Sequence, residues 1–244
     1  MKQRNVWNWM NVLMVLMLAG ALLLTSCAPR LRVGELQNES QTVELGDADS
    51  VRAEIEFPAG ILKITGGADA LLEADFTYNV ARLKPEVEYS DSTLVVHSPE
   101  AEGRLNWQGI SKFRNEWDLK FNDEVPIDLR VKMGAGNGNL QLSGLSLAGL
   151  NVTLGAGIST VDLSGDWTHD LDVTFDTGAA DITVRLPKEV GVRVEVEAGP
   201  TVVNAPGLTK EGNVYTNAAY GASDVMLQIN MQAGIGRIKL EVEE

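Results

Sequence analysis

From Leu129 onward the chain alternates apolar and polar positions with a period of two, and glycine interrupts the alternation at a regular interval. "LRVKMGAG" begins at Leu129, and "LNVTLGAG", "LDVTFDTG", "VRVEVEAG" and "LQINMQAG" begin at Leu150, Leu171, Val192 and Leu227. The first four starts are 21 residues apart; the fifth follows after one such step plus 14 residues, Asn213 to Met226. Aligned on that step, Leu129, Leu150, Leu171, Val192 and Leu227 share a column, and Val131, Val152, Val173, Val194 and Ile229 share the next. Gly136, Gly157, Gly178, Gly199 and Gly234 form a glycine column, after which Leu140, Val161, Ile182, Val203 and Ile238 resume the apolar face. Residues two apart on a strand face the same way, so each unit reads as strand, glycine turn, strand, turn. Glycine suits the turn because a positive φ costs it little. A unit this short cannot bury its apolar face alone and must stack on its neighbours. The pattern therefore predicts an all-β, repeat-built β-solenoid, β-helix-like, with about 21 residues per rung. An antiparallel β-sandwich is the alternative. The outward columns mix residue types, as in Lys132, Thr153, Thr174, Glu195 and Asn230, which avoids ladders of like charge.

Ahead of the repeats, Val51, Ala53, Ile55 and Phe57 point one way and Arg52, Glu54 and Glu56 the other, the mark of a half-buried strand. Gly60 is read as a turn glycine of the same kind. Residues 39–124 are expected to form an N-terminal β domain related to the repeat domain at 125–244. The least regular stretch, 100–124, carries Trp107 and Trp117.

The N-terminus has a different pattern. Lys2 and Arg4 precede an apolar run from about Val12 to Leu24, which ends in Leu24-Thr25-Ser26-Cys27. A positive end, a short apolar segment and small residues before a cleavage point are the layout of a secretory signal. The terminal L-T-S-C looks like a bacterial lipobox, which predicts a signal peptide at 1–26 and acylation of Cys27, the chain's one cysteine. Residues 27–38 then read as a lipidated tether. An uncleaved membrane helix is the alternative, and either places the remainder on the extracytoplasmic face of the bacterial cell membrane.

The formal net charge is −14, and loss of residues 1–26, which hold Lys2 and Arg4 and no acid, makes it −16. An acidic chain is a poor partner for nucleic acid. The expected partners are the membrane, through the lipid anchor, and an envelope protein or glycan.

The residues point to no catalytic chemistry and to no cofactor. His97 and His169 have no second histidine or cysteine at metal-ligand spacing, which argues against zinc. The glycine turns lack the lysine and serine of a phosphate loop and open no helix. Acids gather around the third repeat, making Asp166, Asp170 and Asp176 weak candidates for calcium, although the calcium-binding loop spacing is missing. Trp107, Trp117 and Trp167 are weak candidates for a carbohydrate-stacking surface, with Trp167 in "GDWTHD" expected to be the most exposed. Their other reading is as covers for the ends of the stack.

Several stretches together resemble the bacterial toast-rack lipoproteins, relatives of the putative adhesins and of the LiaF-like, cell-wall-active antibiotic response proteins. They include "VGELQNESQTVELGDADSVRAEIEFPAGILKITGG", "NEWDLKFNDEVPIDLRVKMGAG", "LPKEVGVRVEVEAG" and "VYTNAAYGASDVMLQINMQAGIGRIKLEV". The resemblance implies an all-β, repeat-built extracytoplasmic protein without catalytic machinery: an adhesin-like scaffold. A LiaF-like regulatory partner of an envelope-stress sensor is the alternative, and a polysaccharide-active enzyme the third reading.

Overall fold

The computed structural model describes residues 32–101 and 112–243. Cys27, the apolar segment before it and Trp107 lie outside the described residues. Among the described residues fourteen strands run in chain order: β1 Gln37–Val43, β2 Val51–Thr65, β3 Leu72–Tyr78, β4 Glu86–Ser90, β5 Thr93–His97, β6 Asn115–Phe121 and β7 Ile127–Gln141. They continue as β8 Leu147–Asp162, β9 Leu171–Leu186, β10 Gly191–Ala198, β11 Thr201–Asn204, β12 Thr209–Glu211, β13 Val214–Thr216 and β14 Met226–Val242. The only helical elements among the described residues are two short 3-10 turns, Ala81–Leu83 and Pro99–Ala101.

All the strands join one sheet in the order β1-β3-β6-β2-β7-β8-β9-β14-β10-β13-β12, with β11 on β14 and the β4–β5 hairpin on β2. The spine, β2-β7-β8-β9-β14-β10, is parallel throughout. Among the described residues, antiparallel pairing is confined to the two ends of the stack and to the β4–β5 hairpin. The molecule is therefore an all-β, solenoid-like stack rather than an antiparallel sandwich.

Each long strand is two arms joined at a corner, where the buried set changes parity. In β7, Leu129, Val131 and Met133 are buried before the corner and Leu140 after it. Both arms feed the same core, which continues from β2 through β14. Thirteen residue pairs tie β2 to β7, from Val51↔Ile127 to Ile64↔Leu140. The stack thus begins at Val51, ahead of residue 125, where the repeats were expected to start.

Besides a bulge between Ile127 and Asp128, the register departs from a uniform 21-residue step in two ways. Leu129 lies beside Leu150, but Leu150 lies beside Val173 rather than Leu171, a step of 23. The turn between β8 and β9 takes up the two extra residues, and because the shift is even no side chain changes face. The second departure is topological: β14 enters between β9 and β10, so Leu227 lies beside both Leu171 and Val192.

The glycine column consequently divides in two. Gly60, Gly136, Gly157 and Gly236 occupy one row, all at positive φ, with Ala180 in that row on β9. Gly178, Gly234 and Gly199 belong instead to a row two residues earlier, with Gly134 and Gly155, and none of these has a positive φ. What this earlier row requires is close approach: a Cβ on Gly155 would stand 2.2 Å from the Gly134 carbonyl oxygen of the rung below. The expectation of positive φ at Gly178, Gly199 and Gly234 is corrected by the two-residue shift.

Ion pairs cross the rungs on the outer face, Arg130 to Glu54 at 3.7 Å and Lys132 to Glu56 at 3.3 Å. Exposed pairs of this kind contribute about 0–1 kcal/mol each, so they tune the surface rather than hold the stack.

At the first end, the buried Tyr78 on β3 donates its hydroxyl to Glu39 Oε1 on β1 at 2.5 Å. Burial, then the hydrogen bond and the charge of Glu39, push the phenol from 10.0 up to about 12. The folded value exceeds the unfolded one, so this contribution to stability is fully present below pH 10 and is lost as pH rises through 12. A phenolate absorbance titration should show a component near pH 12, and Tyr78→Phe should remove it. A titration curve left unchanged by Tyr78→Phe above pH 11 would refute the assignment.

Candidate binding surface

The parallel register lays equivalent residues of successive rungs side by side, so each outward position of the repeat becomes a row across the molecule. Just after the corner one row reads Ile61, Asn137, Ile158, Asp181, Arg237 and Val202, on β2, β7, β8, β9, β14 and β11. Two residues earlier the row reads Ala59, Ala135, Ala156, Ala179 and Ile235. Ile158, Ile235 and Val202 are 60%, 62% and 66% exposed, and Ile61 is 47% exposed. Parity sends these side chains outward, and the corner glycines keep the surface between them low.

A depression of about 330 Å³ sits in this row, lined by Ile158, Val202, Asp181, Arg237, Asn204 and Lys239 among others. Arg237 Nη2 donates to Asp181 Oδ2 at 2.5 Å, and Nε donates to the same oxygen at 3.1 Å. That hydrogen bond, with the guanidinium charge, holds the Asp181 carboxyl below the usual carboxylate range. The surface is thus aliphatic at its edges, with a fixed charge pair at its centre.

The two aromatic candidates among the described residues lie elsewhere. Trp117 is 1% exposed, and its ring meets Phe57 at 5.1 Å and Phe76 at 5.5 Å, both edge-on. Trp167 is 8% exposed and donates its indole N–H to the Leu163 carbonyl at 2.8 Å, which corrects the expectation that it is the exposed one. The turn carrying it is the one lengthened by the 23-residue step, and it folds the ring back over the core. Neither described tryptophan offers a face for sugar stacking.

The aspartates do not converge either. Asp166, Asp170 and Asp176 are all exposed, and Asp170 accepts the Met226 backbone N–H at 2.9 Å, tying β14 into place. Asp176 stands on the outer face between Thr153 and Gln232. Among the described residues, the one group of three histidine or carboxylate side chains with ligand atoms within 4.8 Å of one another is Glu86, Glu88 and His97. His169 is separate, its Nε2 lying 2.8 Å from the Leu147 carbonyl oxygen.

Comparison with known proteins agrees with this architecture. A family model described as the N-terminal domain of toast_rack, DUF2154, matches residues 32–185. A putative cell adhesion protein from Clostridium sporogenes is 30% identical in sequence, with a TM-score of 0.79 over 86% of this chain and 100% of that one. A putative adhesin from Bacteroides fragilis aligns loosely, at 11% identity and a TM-score of 0.32 over 84% of this chain and 97% of that one, and carries no argument. No curated protein matches the chain. Neither the family nor the Clostridium protein bears an enzyme's description. With 154 of its residues matched by the family model and 86% of its length aligned with a solved relative at 30% identity, the chain belongs to the toast-rack family.

Proposed function

We propose that the protein is a lipid-anchored, extracytoplasmic envelope protein acting as a non-catalytic, adhesin-like binding and structural module. The observation that carries this reading is the corner row. Ile158, Ile235 and Val202 stay exposed on a fold that buries dozens of comparable side chains. Their strands are paired in register along the stack, so the surface is held rigidly and little order is lost on binding. Clustered aliphatic exposure with a central charge pair suits a protein partner. The burial of Trp117 and Trp167 takes support from a glycan partner. The description of the Clostridium relative as a putative cell adhesion protein points the same way. For the anchor, the support is Cys27 at the end of L-T-S-C. Two acyl chains together hold a protein on a bilayer, at about 0.8 kcal/mol per buried methylene.

A photo-reactive amino acid placed at Ile158 or Val202 of the full chain, in native membranes, should give a discrete protein adduct. The same group at the exposed Thr174 on the other arm should not. Equal adducts from both faces would count against the reading, and an adduct with a membrane sensor kinase would turn it to the regulatory alternative. Metabolic labelling with a palmitate analogue should mark the parent and not Cys27→Ala; unchanged labelling would sink the anchor.

A further inference from the structure

The β4–β5 hairpin turns through Asp91 and Ser92, at φ +48° and +60°, the left-handed pair of a type I′ turn. A two-residue turn of this type sets the register without ambiguity: Ser90 faces Thr93, and Glu86 faces His97. Glu88 lies two residues along from Glu86, so it shares that face. One ligand atom from each of Glu86, Glu88 and His97 lies within 4.8 Å of the others. The chain separates Glu88 from His97 by nine residues, so metal-ligand spacing along the sequence does not reveal the group; the hairpin register does.

A second observation concerns the imidazole. His97 Nε2 is buried and has no hydrogen-bond partner. Its nearest charged neighbour, Glu88 Oε1, is 3.8 Å away, outside hydrogen-bonding range. A buried nitrogen left unpaired is costly. Here it sits at the edge of a set of oxygens a small rotation away. Glu88 is 67% exposed and Glu86 is exposed as well, so both carboxylates can swing without disturbing the core.

We propose that Glu86, Glu88 and His97 form a binding site for a divalent d-block cation, with zinc the best match. One imidazole nitrogen and two carboxylate oxygens are ligands that zinc accepts at about 2.0–2.2 Å, and three protein ligands leave a fourth position for water. Calcium is disfavoured, because it asks for six to eight oxygens and no nitrogen. The hairpin holds one ligand in place, and the two mobile carboxylates close on the ion. The site lies apart from the corner row and does not depend on the proposed partner.

The test is a zinc titration of the full chain in detergent micelles against a chromophoric competing chelator, in a Cys27→Ser background that removes the one thiol. The parent should bind one zinc ion per chain. His97→Asn should weaken binding by about 100-fold, and Glu86→Gln and Glu88→Gln by about tenfold each. His169→Asn, which alters the chain's other histidine, should leave the affinity unchanged. Zinc binding that survives His97→Asn, or that falls equally in His169→Asn, overturns the proposal, as does the absence of binding by the parent. Should His97→Asn fail to fold by circular dichroism, the two exposed glutamate variants decide the question, and unchanged affinity in both overturns it.

Discussion

Replacing Gly157 with alanine is expected to destabilise the protein by about 4 kcal/mol or more, at the far end of single-residue effects. Two separate penalties meet at this position. The backbone stands at φ +133°, where an L side chain is strained. The added Cβ would also lie 1.9 Å from the carbonyl oxygen of Gly136 on the adjoining rung. Neither obstacle is a flexible side chain that can rotate away, so relief requires the two rungs to separate at the corner. That would strain the parallel pairing that runs from β2 to β14. Gly144→Ala supplies the comparison: nothing lies within 4 Å of its Cβ direction and its φ is ordinary, so its effect should stay within about 0.5 kcal/mol. Urea denaturation of both variants checks the pair. A Gly157→Ala protein as stable as the Gly144→Ala protein would mean that the corner tolerates a side chain after all. Ala180 shows how the stack accepts a Cβ in this row: on β9 the backbone leaves the positive-φ region where the alanine occurs.

The second large effect is expected at Trp117, where alanine should cost about 3–5 kcal/mol. The side chain is fully buried, and the edge-on contacts with Phe57 and Phe76 join β6 to β2 and β3. Its indole N–H donates to Asn115 Oδ1 at 3.1 Å, while Asn115 Nδ2 donates to the Ala59 carbonyl at 2.7 Å. Truncation therefore empties a large volume and leaves a buried amide oxygen without its donor, two costs that add. The Asn115 carbonyl also faces the Gly60 corner, where a Cβ would meet it at 2.0 Å, so loosening Asn115 reaches the first rung. Trp117→Phe, which keeps most of the ring volume and loses the hydrogen bond, should fall between the parent and Trp117→Ala. A loss below about 1 kcal/mol in the alanine variant would show that Trp117 does not join the end strands to the stack.

Much of the fold is legible in the residues because a strand's inward and outward sides follow from parity alone. Leu129, Val131 and Met133 face inward whichever strand lies beside them, and the change of face at the corner is written in the Gly-Ala-Gly of residues 134–136. Less legible was how far each turn shifts the next rung. The turn from Leu163 to Asp170 is longer than the one from Leu142 to Ser146, but only its packing shows that Trp167 folds inward and absorbs the difference. Asn217 is similar: it reads as an ordinary loop residue. In the structure it is buried, donates to the Pro187 and Val190 carbonyls and accepts the Val192 N–H, and so shapes the entry to β10.

The sequence by itself determined what is local: the two-residue alternation, the glycine corners, the all-β class and the need for each short unit to stack. Those follow from backbone sterics and from the area one unit can bury, neither of which depends on distant residues. Only the tertiary structure decided which strand neighbours which. Backbone hydrogen bonding at a strand edge is nearly indifferent to sequence, so placing β14 between β9 and β10 depends on the whole arrangement of loops and cores. The same holds for the surfaces. Ile158, Val202 and Arg237 come together only through the order of rungs, and Glu86, Glu88 and His97 only through the hairpin register.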